Sequence, residues 1–234
     1  MMNNKKNFIK ILAIAICVGF LGGFLKLLYE KNFGPLPIVG YVGIAIAVFI
    51  VIFLLTTIPS LKLKKKIVAL NNILYNEHDA KKYLEGMEKL QNKRKSMFDV
   101  QYDKNKVVID INVAIGYMAT NRYDKAVKLM RSVDVTGIHH FTKAIFYANY
   151  IYSLFRIKKV KEALTLLDNH RDLILQFQDV LNIGAYINMD LAQESKEYKN
   201  EEDMIYYLDK AKNLAQGFYE SQEYEKISRI LRGQ

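Results

Sequence analysis

The chain has 234 residues, 51% of them hydrophobic, and a formal net charge of +10. Residues 1–66 hold nine lysines against Glu30 alone, while the remainder holds 25 Lys and Arg against 23 Asp and Glu. A basic chain often binds nucleic acid, but a nearly neutral larger part argues against that role, and the single cysteine, Cys17, excludes an intramolecular disulfide.

The first apolar run is ILAIAICVGFLGGFL, residues 11–25. Extended to about 8–28, it takes in Lys10 and Lys26 near its ends, where an amine can snorkel to lipid headgroups. The second run, residues 36–58, is 23 uncharged residues long. About 20 apolar residues cross a bilayer as a helix, so two transmembrane helices are expected. Gly34, Pro35 and Pro37 break the helix between them, making the two spans antiparallel neighbours. Gly19 and Gly23, and Gly43 and Ala47, are small residues four apart that let helices approach closely. They either pack the hairpin internally or hold a homo-oligomer.

Lys5, Lys6 and Lys10 precede the first run, and Lys62, Lys64, Lys65 and Lys66 follow the second. Basic residues stay on the cytoplasmic side, which predicts a multi-pass protein of the cell membrane with both termini cytosolic. The 62–66 flank then contacts anionic headgroups. The expected division is a membrane anchor over 1–66 and a cytosolic domain over 67–234.

Beyond Ile67 only helical periodicity is visible, and proline is absent. YDKAVKLMRSV (123–133) and VKEALTLLDNHRDLILQF (160–177) place apolar residues three and four apart, the mark of one buried helix face. The fold class is all-α. Glu201, Glu202 and Asp203 suit a solvated helix start.

The segment IDINVAIGYMATNRYDKAVKLMRSV (109–133) resembles a tetratricopeptide repeat, with Ala114, Tyr117, Tyr123 and Ala126 in the places of that family's small and aromatic residues. A second copy is read at 144–170, where Val160 and Ala163 match Tyr123 and Ala126. An earlier one aligns NEHDAKKYLEG (76–86) with NRYDKAVKLMR (121–131). Residues 184–198 and 202–215 form a further helix pair, and YESQEYEKISRILRGQ caps the chain. The family's Trp and its helix-ending Pro are missing. The resemblance implies stacked helical hairpins with a concave groove. It places Ile111, Ile115, Met118, Ala148, Tyr152 and Phe155 in that groove as a protein-binding surface. The alternative is that these residues only pack against the next helix pair.

No zinc spacing joins His78, His139, His140 and His170, and no P-loop, Rossmann glycine pattern or nucleophile motif occurs. No catalytic residue, metal or cofactor is therefore expected. Richness in Lys, Asn, Ile and Tyr suggests an AT-rich, bacterial source. The expected function is a membrane-anchored scaffold or adaptor with an unknown protein partner. The alternative is an accessory or regulatory subunit of a membrane complex, such as a transporter or secretion machine, bound through the hairpin.

Overall fold

The computed structural model describes residues 16, 19–20, 22–24, 26–32, 34–35, 37–92 and 102–233. Among these residues the regular structure is helical, in agreement with the all-α expectation. The helices are α1 (Ile38–Tyr75), α2 (Ala80–Gln91), α3 (Tyr102–Ala119), α4 (Tyr123–Met130), α5 (His140–Arg156), α6 (Val160–Leu175), α7 (Leu181–Glu197), α8 (Glu201–Leu214) and α9 (Phe218–Arg232). The chain divides into two compact units, the larger comprising Val68–Asn92 and Lys106–Gln234. The smaller holds α1 up to Ile67 and the helical residues before it.

The expected membrane anchor is overturned. Among the described residues, no helix is long and apolar enough to cross a membrane. A span needs a continuous apolar helix of about 20 residues. A run of uncharged residues is a weaker condition. Part of the expected first span, residues 8–15, lies outside the described residues. The multi-pass location and the cytosolic termini rested on that anchor and fall with it. Lys62, Lys64, Lys65 and Lys66 stand exposed on α1.

Within the smaller unit, Gly34 takes φ +84 between the first helical residues and α1, a conformation glycine adopts without a steric penalty. Across that turn, Tyr41 donates its hydroxyl to Glu30 Oε1 at 3.1 Å, and Lys26 Nζ lies 5.0 Å from the Tyr41 ring centre. Gly22 makes the close approach, where an added Cβ would meet Ile44 at 3.4 Å and Val48 at 3.7 Å.

In the larger unit, four helix pairs (α1–α2, α3–α4, α5–α6 and α7–α8) are each joined by one recurring turn. His78, Asn121, Lys158 and Lys199 each adopt a left-handed backbone, with φ from +56 to +61. The residue after each, Asp79, Arg122, Lys159 or Asn200, is the N-cap of the next helix. In three turns the N-cap N–H bonds back to the preceding helix: Arg122 to Tyr117 O at 2.8 Å, Lys159 to Leu154 O at 2.9 Å, and Asn200 to Ser195 O at 2.8 Å. That six-to-one bond is a Schellman closure, which satisfies a carbonyl the helix end leaves free. The first turn is looser, since Asp79 N reaches Ile73 O at 3.1 Å. Asp79 and Asn200 add side-chain caps, accepting from Lys82 N at 2.9 Å and Asp203 N at 3.1 Å. Glu201, Glu202 and Asp203 fill the exposed first turn of α8, where the helix dipole favours negative charge.

The turns place equivalent residues at equivalent points of their hairpins. Tyr123 and Val160 each open a helix, and Ala126 and Ala163 are both fully buried one turn later. The first hairpin differs from the sequence alignment, because His78 and not Asn76 holds the left-handed position equivalent to Asn121.

The outer helices are amphipathic. α4 buries Tyr123, Ala126, Val127 and Met130, and α8 buries Met204, Leu208 and Ala211, at the spacing of one helical face. The inner helices α5 and α7 are covered on nearly all sides. α5 packs on α4, α6 and α7, while α7 packs on α5, α6, α8 and α9. Their buried polar residues bond mostly within their own helix. Ser153 donates to Asn149 O at 2.7 Å, Ser195 to Leu191 O at 2.9 Å, and Asn188 Nδ2 to Gly184 O at 2.8 Å.

Tyr83 ties α2 to α3. Its ring is fully buried, and its hydroxyl lies 3.1 Å from Asn112 O and 3.0 Å from Asn112 Oδ1. Tyr83→Phe keeps the ring and removes the donor. Urea unfolding is expected to show a loss of about 1 kcal/mol. A wild-type midpoint for this variant would mean that the hydroxyl adds nothing to the α2–α3 pairing.

Candidate functional site

The polar groups converge on α9. Its buried face is Glu220, Glu223, Tyr224, Ile227, Ser228 and Leu231, spaced for one helical stripe. Three of those six are polar, and two are carboxylates. A carboxylate is expensive to bury unless it is paired and hydrogen-bonded.

Glu223 is well paired. Tyr123, the first residue of α4, donates to its Oε2 at 3.0 Å, and Tyr152 of α5 donates to the same oxygen. Lys226, one turn later, donates to its Oε1 at 2.6 Å. The two tyrosine rings meet edge to face at 6.1 Å, and the Arg156 guanidinium lies 5.3 Å from the Tyr123 ring centre. Burial, and after it the Glu223 carboxylate, holds the Tyr152 hydroxyl well above the usual tyrosine range. Tyr123 is raised by the same two causes in the same order. Both hydroxyls therefore stay protonated as donors at neutral pH.

Glu220 is less well placed. Its Oε2 is buried without a hydrogen-bond partner among the described residues, and burial raises its carboxyl pKa. The ends of α9 are held separately. Phe218 stacks on His78 at 4.1 Å, and Tyr219 donates its hydroxyl to His78 O at 2.9 Å. At the other end, Lys196 of α7 donates to the carbonyls of Ile230, at 3.2 Å, and Leu231. Gly233 closes the helix in a left-handed C-cap.

The six groove residues read from the sequence do not form an open surface. Ile111, Met118, Ala148, Tyr152 and Phe155 are buried, and Ile115 is partly buried against the same core. Of the six, Tyr152 is the one hydrogen-bonded to α9. In the smaller unit, a Cβ at Gly19, Gly23 or Gly43 would meet nothing within 4 Å, and Ala47 is exposed. These four residues therefore do not pack the two helices of the hairpin together, and the contact falls at Gly22 instead. Among the described residues, no three His, Cys, Asp or Glu side chains gather where they could hold a metal. His170 stacks on Tyr147 at 3.5 Å, and His139 caps α5 by accepting from Phe141 N at 3.3 Å.

Glu223 and Lys226 were missed in the sequence. The signal was present, since Glu220 and Glu223 fall on the apolar stripe of a helix that reads as a cap.

Comparison with protein-family models, with curated proteins and with solved structures gave no match.

Proposed function

We propose that the larger unit is a tetratricopeptide-like array of helical hairpins and that the protein is a non-enzymatic interaction module, a scaffold or adaptor. The recurring left-handed turn at His78, Asn121, Lys158 and Lys199 carries this reading. Repeating one turn gives the four hairpins a common internal geometry, and a solenoid is built by stacking like units. The exposed side chains of Tyr198, Ile205 and Tyr206, on α8 and the turn before it, supply a surface that a partner could cover.

A second reading rests on a different observation. Phe20, Phe24, Leu27, Phe49 and Phe53 of the smaller unit are more than half exposed. So much exposed aromatic and aliphatic surface suits an accessory subunit that joins a larger protein assembly through this unit.

Photocrosslinking separates the two. A photoreactive residue replaces Ile205 or Tyr206 in one set of full-length chains, and Phe20 or Phe49 in another. Crosslinks to a defined protein from the first set are the expected result. Crosslinks from the second set alone favour the accessory subunit, and none from either set rejects both readings.

A further inference from the structure

We infer that α9 occupies, within its own chain, a binding site for an amphipathic helix that carries a carboxylate midway along its apolar face. This rests on the interaction-module reading and names the chemistry of the partner. A helix that only capped the array would cover its end with apolar side chains. α9 does something different. It makes side-chain contacts to residues far back in the chain: His78, Asn121, Tyr123, Tyr152 and Lys196. Lys196 takes the last free carbonyls of α9, which any helix presents. Tyr219 and Lys226 of α9 add exposed contacts, to the His78 carbonyl and to Asn121 Oδ1. The one side-chain feature bound deeply is Glu223, which receives two tyrosine hydroxyls from different hairpins. Two hydroxyls on one carboxylate oxygen select an acidic residue at that point and reject an apolar one, whose presence would leave both donors unpaired.

The fit of α9 is also incomplete. Glu220 is buried with Oε2 unpartnered, a defect that weakens docking and that a partner helix with a neutral residue there would avoid. The apolar anchors of the buried face are few: Tyr224, Ile227 and Leu231. Residues 215–217 link α8 to α9, so α9 is held at high effective concentration despite that weakness. A resident with a flawed fit, kept in place by its tether, is suited to being displaced.

The test uses the full chain with a protease recognition sequence inserted after Gln216. After cleavage, a fluorescent peptide of residues 217–234 is added and its anisotropy followed. The cleaved protein is expected to take up the peptide saturably, and the uncut protein to take up at least tenfold less. Unlabelled peptide should compete, and peptide carrying Glu223→Ala should compete at least tenfold less well. Glu220→Gln peptide should compete at least as well as wild type. Cleaved protein that takes up no peptide, binds the Glu223→Ala peptide equally, or loses its helical circular dichroism on cleavage would overturn the proposal and make α9 a fixed part of the core. If that happens while Ile205 or Tyr206 still crosslinks a partner, the interaction-module reading survives and only the resident-helix inference fails.

Discussion

Replacing Asp190 by asparagine is expected to stabilise the larger unit by about 2 kcal/mol at pH 7 and by almost nothing at pH 4. Asp190 lies within α7 at 0% exposure, and neither carboxylate oxygen has a hydrogen-bond partner among the described residues. Burial, and then the charge of Glu194 one turn on, pushes its carboxyl well above the usual range. Folding thus raises the pKa of this group. Below the unfolded value both states are protonated, and the group costs nothing. As pH rises from that value toward the folded one, the unfolded chain gains stability by ionising while the folded chain cannot follow. Stability from this site therefore falls as pH increases above about 4. Asparagine has the same shape and no proton to lose, so the penalty goes. Glu220 is raised in the same direction, by burial, so a smaller slope remains in the variant. Urea midpoints at both pH values check the prediction. A gap between variant and wild type that is equal at pH 4 and pH 7 would show that Asp190 is solvated or paired.

The sequence carried the helices of the larger unit well, because periodicity reports a buried face directly. Ala126 and Ala163, matched by sequence alone, are both fully enclosed at the same point of their hairpins. The turns were harder to read. Asn121 and His78 are of types that tolerate a left-handed backbone, but Lys158 and Lys199 have no such preference, and the bonds that close their hairpins impose it. Asn76 and His78 both suit the position by residue type, which is why the first alignment slipped from His78 to Asn76. The membrane reading failed for a different reason. The second run is helical from Ile38 onward, but a lack of charge does not by itself make a helix long and apolar enough to cross a membrane.

The candidate site was least legible. An apolar stripe looks the same whether it lines a groove or fills a core, so Ile111, Met118 and Phe155 could not be sorted by spacing. Tyr152 was placed in the groove, as an apolar surface residue. Its ring lies in the core, and its hydroxyl makes the contact that matters. Glu223 could not be paired in advance, since its tyrosine partners lie 100 and 71 residues away in sequence. A carboxylate on the buried side of a predicted helix is nonetheless a usable warning. Such a residue demands a donor, and the search can then be confined to tyrosines, lysines and arginines on neighbouring faces.

Gly184→Ala is expected to destabilise the larger unit by about 2 kcal/mol, although alanine is the better helix former. Gly184 lies in the first turn of α7 and is fully covered. A Cβ built there would come within 2.4 Å of the Gln178 carbonyl oxygen and 3.0 Å of Leu214 Cδ1. The leucine can turn aside, but the carbonyl is backbone. It is also held in place, because Asn188 Nδ2 donates to it at 3.2 Å while donating to Gly184 O at 2.8 Å. Moving Gln178 would break that bridge and shift the connection from α6 to α7. Gly86→Ala is the control. There the contact at 2.3 Å is with Leu70 Cδ2, the far end of a flexible side chain. The gain of about 0.5–1 kcal/mol in helix propensity should offset much of that rearrangement, so Gly86→Ala is expected near wild type. Denaturant midpoints for the pair discriminate between causes. If both variants lose stability equally, crowding alone governs the response. If Gly184→Ala is the more stable of the two, the Gln178 carbonyl moves freely, and the α6–α7 connection is not the fixed joint that its hydrogen bonds describe.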